Sequence, residues 1–284
     1  MTTNRAGNAE QIAYWNGLAA RRWLDLEAKQ DVVFAPITEA LFARARLVAG
    51  ERVLDIGCGG GGMTIDIAGR VGPTGRAVGL DVSRPMLDAA RRRASAGLPI
   101  EFVLADAAGH VFAPSSFDAL VSRFGVMFFA DPVEAFANLR SALRRGGRAV
   151  FACWRAAKLN AWQMTPLRAA LRHVPRLPEL GPEDPGPFSF ADETRVRRVL
   201  DRAGFAQVEL TAIDLEIDIA AGQGFESAMT TAQSIGAASR AMEGRPEHER
   251  AAAVEEIRAT LGPHRRGPSV PLGAAIWIVE AVNL

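Results

Sequence analysis

The feature that most constrains this chain is the stretch Arg52–Ala68, RVLDIGCGGGGMTIDIA. Val53, Leu54 and Ile56 make a short apolar run, five glycines follow within six residues, and Met63, Ile65 and Ile67 open an amphipathic helix. The pattern predicts a buried strand, a bend almost free of side chains, and a helix. Glycines reach backbone angles closed to other residues and leave room for a ligand against the main chain. The helix offers unpaired N–H groups and the positive end of its dipole. A polar ligand pressed against backbone at the carboxyl end of a parallel strand is the expected occupant.

The identity of that ligand turns on one acid. Gly57, Gly59 and Gly62 satisfy G-x-G-x-x-G, the dinucleotide fingerprint, which alone is weakly specific. Asp55 stands two residues before the first glycine, giving D-x-G-x-G-x-G with Gly57, Gly59 and Gly61. A carboxylate there repels a pyrophosphate and favours a ligand that carries an amino group. This motif resembles the cofactor loop of class I S-adenosylmethionine-dependent methyltransferases. The resemblance implies that Asp55 lies near the cofactor's methionine end, whose ammonium is positive. Cys58, inside the loop, is either a reactive thiol or a small residue tolerated among glycines.

Composition bounds the rest. A chain of 284 residues, 49% hydrophobic, suffices for one large domain or one domain with a cap. A net charge of +1 argues against a general binder of nucleic acid or membrane surfaces. The first residues, MTTNRAGNAEQ, have no apolar core of a signal peptide, and no run of about 18 apolar residues suggests a membrane span. Two cysteines, Cys58 and Cys153, make no disulfide framework and point to the reducing cytoplasm. No His, Cys or acid spacing suggests a metal site.

In chain order, Ile12, Trp15, Leu18, Trp23 and Leu26 predict a helix over 9–30, and Thr38–Val48 a second, ended by Gly50. Strands are predicted at Arg76–Leu80, Ile100–Leu104, Phe117–Ser122 and Arg148–Trp154. Ser83 caps a helix over Arg84–Ala96. Asp131, Pro132 and Glu134 start another that runs to Arg144 and is closed by Gly146-Gly147. Five strands alternating with helices mean an α/β, parallel, right-handed, doubly wound sheet. Beyond Trp154 the reading is a helix over Ala161–His173, then a loop or lid over Pro175–Pro187 with five prolines in thirteen residues. A helix capped by Asp192 follows. A strand over Val208–Ile219 comes next, its apolar phase slipping at 212–213 as a β-bulge would make it. Two helical patterns, Phe225–Met242 and Glu247–Leu261, precede a final apolar strand, Ala274–Val282.

The fourth-strand end, SRFGVMFF over 122–129, resembles the small-molecule branch of the methyltransferases close to the ubiquinone- and menaquinone-biosynthesis enzymes. The resemblance is densest over residues 50–154, weaker over 190–220 and 274–282, and absent over 221–270. It implies a Rossmann-like seven-stranded, mostly parallel sheet whose antiparallel last strand is inserted between the fifth and sixth. It divides the chain into a helical cap (1–50), the cofactor-binding core (51–155) and a lid with the last two strands (156–284). S-adenosylmethionine is the implied cofactor. Asp81, 20 residues past Gly61 at the second strand's end, would meet the ribose, with Val82 beside it. Met86 would lie beside the adenine, and Asp106, with Ala107, would bind the adenine amino group. Ser122 and Phe124 would border the methionine part. Tyr14 and Trp15 would fold over the cofactor, aromatic faces being attractive to a sulfonium.

The implied reaction is in-line displacement at the sulfonium methyl by O, N or C of a small, apolar or aromatic molecule. A general base is needed only if the acceptor holds its proton at neutral pH. His110 and Arg123 are the candidates for contact with the acceptor, the first as base and the second as partner for an anion; both also have structural readings. Nucleic acid is an unfavoured substrate: no Asp- or Asn-Pro-Pro-aromatic run and no Pro-Cys follows the fourth strand. A homodimer is left open. Two other functions stay open at this level, a nicotinamide (NAD(P))-dependent oxidoreductase using the same glycines and a non-catalytic S-adenosylmethionine-binding protein.

Overall fold

The computed structural model describes residues 4–284 except Glu179 and Pro182, with side chains from Asn8 onward. Four helices come first: α1 (Asn4–Asn16), α2 (Leu18–Asp25), α3 (Glu27–Val33) and α4 (Ala35–Ala45). The single helix predicted over 9–30 is thus three short ones. Gly17 and Leu26 leave helical geometry, at φ −100°, ψ −139° and φ −120°, ψ 14°. The breaks turn α1, α2 and α3 against one another, which one straight rod could not do.

The strands then follow in the predicted order, alternating with helices except between β3 and β4, which a loop joins: β1 (Arg52–Ile56), α5 (Gly62–Val71), β2 (Arg76–Asp81), α6 (Arg84–Arg93), β3 (Ile100–Leu104), β4 (Phe117–Arg123), α7 (Pro132–Ala142) and β5 (Leu143–Trp154). The caps hold too, since Ser83 accepts from the Met86 N–H and Asp131 from the Glu134 N–H. The end of α7 differs from the reading. The helix stops at Ala142, and Gly146-Gly147 lie inside β5, where the register with β4 jumps from Phe117–Leu143 to Ala119–Arg148. The glycines form a bulge that takes up the extra residues, rather than closing a helix.

The remainder comprises α8 (Ala161–Ala170), α9 (Glu193–Arg202), β6 (Ala206–Asp218), α10 (Phe225–Ser234), α11 (Gly236–Met242), α12 (Glu247–Leu261) and β7 (Pro271–Val282). The seven strands order as β3-β2-β1-β4-β5-β7-β6, with β7 antiparallel to both neighbours and the first five strands parallel. The mixed, doubly wound sheet is therefore the one expected. The bulge in β6 is not at 212–213. Register with β7 runs unbroken from Glu209 to Asp218, and the shift lies between Ala206 and Glu209, at Gln207 with φ +50°. Successive side chains alternate faces, so the apolar set simply changes face at 212–213, Val208 and Leu210 pointing one way and Ile213, Leu215 and Ile217 the other.

The segment 221–270, unmatched in sequence, builds α10–α12, and α8 packs on α11 and α12. The N-terminal helices are tied to this layer. Lys29 of α3 donates to the Ser227 carbonyl, and Arg22 of α2 reaches Ser239 Oγ at 3.3 Å and Glu243 at 3.2 Å. Together they roof the carboxyl ends of β1, β2, β4 and β5. Among the described residues no helix is long and apolar enough to cross a membrane.

Candidate active site

The glycine loop leaves β1 at Ile56 and is pinned at once, the Gly57 N–H donating to the Leu80 carbonyl at 2.8 Å. Gly57 has φ +68°, and a Cβ there would stand 2.7 Å from the Cα of Gly125. Only glycine lets the loops after β1 and β4 approach so closely. Gly59 (φ +53°), Gly60 and Gly62 also face the cavity. Gly61 does not, contrary to expectation. A Cβ on Gly61 would meet Ala90 Cβ at 2.8 Å and the Phe102 ring at 3.0 Å, so this glycine is required for packing against α6 and β3. Cys58 is nearly buried, its sulfur 2.9 Å from where a Cβ on Gly79 would lie, and burial holds its thiol well above the ordinary range. It is a packed, inert thiol.

The three acids singled out in the sequence, Asp55, Asp81 and Asp106, line one cavity. Asp55 is 0% exposed; Thr64 Oγ1 donates to its Oδ2 at 2.7 Å, and Oδ1 has no partner among the described residues. Burial raises its carboxyl to about 7, opposed in part by the Thr64 hydrogen bond and the charge of Arg123. Asp81 accepts from the Gly59 N–H and the Ser83 N–H, both at 2.8 Å, so the second-strand acid also fastens the loop; burial raises this carboxyl too. Each of its oxygens keeps a lone pair for a ligand hydroxyl. Asp106 accepts from the Ala108 N–H at 3.0 Å and from the Asn8 side-chain amide of α1. Val82, Met86 and Ala107 line the slot between these acids. The Val82 carbonyl accepts from Asn16 at 3.0 Å, which docks α1 on the β2–α6 junction.

Two expectations fail. Ser122 is buried away from the cavity, donating to the Ile56 carbonyl at 2.7 Å and accepting from the Gly125 N–H at 3.2 Å, which welds β1 to the turn after β4. His110 does not line the cavity either. Its backbone closes a turn onto the Asp106 carbonyl and its ring lies edge-on to Phe112 at 4.6 Å, away from the cavity wall. Arg123 does line the cavity but is not a free cation. It donates to Thr38 Oγ1 at 2.7 Å and pairs with Asp31 at 3.4 Å.

Phe124, Tyr14 and Trp15 are on the cavity wall as expected. Phe124 holds φ +72°, a strained angle for a side chain of this size, and stacks on Trp154 at 4.1 Å. Trp154 meets Trp162 at 5.0 Å, and Phe34 meets both Trp162 and Phe124 at 5.6 Å, closing a ring of four aromatics. Sequence reasoning assigned no site role to Trp154, Trp162 or Phe34, nor to Glu27 and Asp31 of α3. The helical spacing of Glu27 and Asp31, i and i+4 in a segment predicted to cap the core, was the only available signal. The cavity measures about 940 Å³. That lies at the upper end of single-ligand pockets and leaves room for a nucleoside-sized ligand and a second molecule beside it.

S-adenosylmethionine fits this lining. Gly57, Gly59, Gly60 and Gly62 expose main chain, Asp81 and Asp106 offer acceptors that a ribose hydroxyl and an adenine amino group would satisfy, and Asp55 keeps an unpartnered carboxylate oxygen beneath the loop. A dinucleotide fits poorly. Its pyrophosphate would meet Asp55 under the loop, and Glu27 and Asp31 on the cap side, since Cβ atoms on Gly60 and Gly62 would collide with those two carboxylates.

Comparison with known proteins agrees. Residues 53–147 match the family model for a methyltransferase domain. Aklanonic acid methyltransferase DauC of Streptomyces sp. (strain C5) is 36% identical over 50% of this chain and 68% of its own length. Nocamycin O-methyltransferase of Saccharothrix syringae is 30% identical over 65% of this chain and 69% of its own. Demethylmenaquinone methyltransferase of Thermus thermophilus is 40% identical over 36% of this chain and 46% of its own, as the resemblance at the fourth strand led one to expect. In fold, phosphoethanolamine N-methyltransferase 2 of Haemonchus contortus, solved with S-adenosylhomocysteine, superposes with a TM-score of 0.53 at 17% identity, covering 87% of this chain and 52% of that one. Two relatives at 30% identity or more over two thirds of their length, and a glycine loop built for the same cofactor, place this chain in the class I S-adenosylmethionine-dependent methyltransferases.

Proposed function

We propose that the enzyme methylates an acidic oxygen, a carboxylate, phenolate or enolate, on a small, flat, apolar molecule. The observation that carries this is the apolar chamber that opens from the glycine loop within one cavity, floored by the packed ring of Phe34, Phe124, Trp154 and Trp162 and walled by the half-buried Trp15, Trp23, Phe128 and Phe129. Flat rings stack well on such walls. Of the carboxylates lining the cavity, Glu27 and Asp31 pair with Arg93, Asp106 with Asn8, Asp184 with the Gly181 N–H and Glu243 with Arg22, while Asp81 is tied to the Gly59 and Ser83 N–H groups and Asp55 lies beneath the loop with Thr64 on one oxygen. No histidine or lysine is among the described lining residues. An acceptor that has lost its proton before it binds suits such a site, and the relatives named for an acid and for O-methylation support the choice.

In this reading Asp81 and the Met86–Ala107 slot with Asp106 hold the nucleoside, and Tyr14 and Trp15 close over it. Bound there, S-adenosylmethionine would supply a methyl carbon activated on sulfur for transfer to the acceptor oxygen, the carbon–sulfur bond pair going to sulfur. The protein's part is alignment: the apolar wall above the Phe124–Trp154 stack holds the acceptor's ring, and the roof of α1–α3 and α11 keeps out water that would stabilise the separated charges. Transfer of labelled methyl from S-adenosylmethionine to a panel of flat carboxylic acids, phenols and amines tests this. Methyl esters or ethers should form, with no amine product. Methylation of amines alone, or retained cofactor with no transfer to any acceptor, would overturn it.

A further inference from the structure

The charges on α3 do more than close the roof. Glu27 Oε1 lies 1.7 Å from where Gly60 would carry a Cβ, and Asp31 Oδ2 2.6 Å from the same point on Gly62, so both carboxylates rest on the glycine loop itself. Arg123 of β4 reaches Asp31 at 3.4 Å from the core side and is held by Thr38 at 2.7 Å. Glu27, Asp31 and Arg123 all face the cavity, whereas Arg93 pairs the two acids from α6 behind it, at 3.3 and 2.5 Å. Burial pushes the Glu27 carboxyl up, as expected for an acid with too little positive charge on its open side.

We infer that this cap–core ion pair is the recognition site for the cofactor's amino-acid end. The ammonium would lie against Asp31 and Glu27, and the α-carboxylate against Arg123. The inference rests on S-adenosylmethionine as the ligand of the loop. A zwitterion is the one small group that can enter between an aspartate and an arginine and leave each with an opposite charge. Asp55, wholly buried and bonded to Thr64, lies below the loop with its other oxygen unpartnered among the described residues. Because Asp31 and Glu27 belong to α3, and Lys29 of the same helix bonds to Ser227, the amino-acid end also fastens the N-terminal helices and α10 over the chamber. The acceptor site is thereby completed only when an intact cofactor is present.

The test uses binding, not turnover. S-adenosylhomocysteine carries the zwitterion, and 5′-methylthioadenosine is the same nucleoside thioether without it. Calorimetric titration of the wild type should show S-adenosylhomocysteine binding at least roughly tenfold tighter, as two charge-assisted contacts imply. In Asp31→Asn that preference should shrink to a few-fold, with methylthioadenosine affinity unchanged, which also certifies the fold of the variant. N-acetyl-S-adenosylhomocysteine, which keeps the carboxylate but lacks the ammonium, should bind the wild type no better than methylthioadenosine. The assignment is overturned if Asp31→Asn keeps the full preference, if it weakens both nucleosides alike, or if the N-acetyl compound binds like the parent. Failure of the wild type to bind either nucleoside would overturn the cofactor reading itself.

Discussion

Substituting Gly57 by alanine separates two costs that are usually confounded. The residue sits at φ +68°, and an added Cβ would be 2.7 Å from the Cα of Gly125, a backbone atom that cannot swing aside. Gly244, between α11 and α12, has φ +69° with nothing within 4 Å of the same point. Alanine at Gly244 should therefore cost only the left-handed backbone, about 1–2 kcal/mol. Alanine at Gly57 adds the overpacking of two loops, about 1–3 kcal/mol more. Urea denaturation of the two variants beside the wild type reads the difference directly, with equal m-values as the check that the same transition is followed. The Gly57 variant should also lose affinity for S-adenosylhomocysteine, because pushing the loops apart moves Phe124 away from the loop. Equal stability losses in the two variants, or a Gly57 variant that binds normally, would refute the argument that the Gly57–Gly125 contact sets the geometry of the site.

Asp55→Asn removes a buried carboxyl held at about 7 against an ordinary 3.8. Because the native carboxyl is raised, the contribution of Asp55 to wild-type stability is full below about pH 4 and is lost as pH climbs to about 7. The variant's advantage should therefore grow across that window and level off near about 4 kcal/mol above it. Thermal melts at pH 5 and pH 8 check the trend, and an advantage that is larger at pH 5 contradicts it. Gly60→Ala meets only the flexible end of Glu27 and should leave stability within about 0.5 kcal/mol while weakening S-adenosylhomocysteine in titration. Iodoacetamide at pH 8 should leave Cys58 and Cys153 unmodified in the native protein and label both in urea, since burial raises each thiol. His110→Gln should leave the methyl-transfer rate unchanged, because the ring packs on Phe112 outside the cavity.

What the sequence disclosed, it disclosed through local rules. The strand–glycine–helix unit, the Ser83 and Asp131 caps and the acids at strand ends are set by neighbours a few residues away, and they stand as read. Gly61 and Ser122 carried the right motif position with the wrong purpose. Both serve contacts between elements, with Ala90 and Phe102 for one and Ile56 and Gly125 for the other, and such contacts leave no trace in local spacing. The phase change in β6 looked like a bulge because one strand buries opposite faces at its two ends. The aromatic chamber was the least legible part: Phe34, Phe124, Trp154 and Trp162 come from four separate segments and meet only once the sheet is folded and α8 lies across it. Glu27 and Asp31 were plain in sequence, but their seat on the glycine loop depends on the breaks at Gly17 and Leu26.

The most direct test of the whole account is a calorimetric titration of the purified protein with S-adenosylhomocysteine and, separately, with NADP⁺. A loop that combines bare backbone with Asp55, Glu27 and Asp31 should bind S-adenosylhomocysteine one to one and give no heat with the dinucleotide. Binding of NADP⁺ with no response to S-adenosylhomocysteine would contradict it.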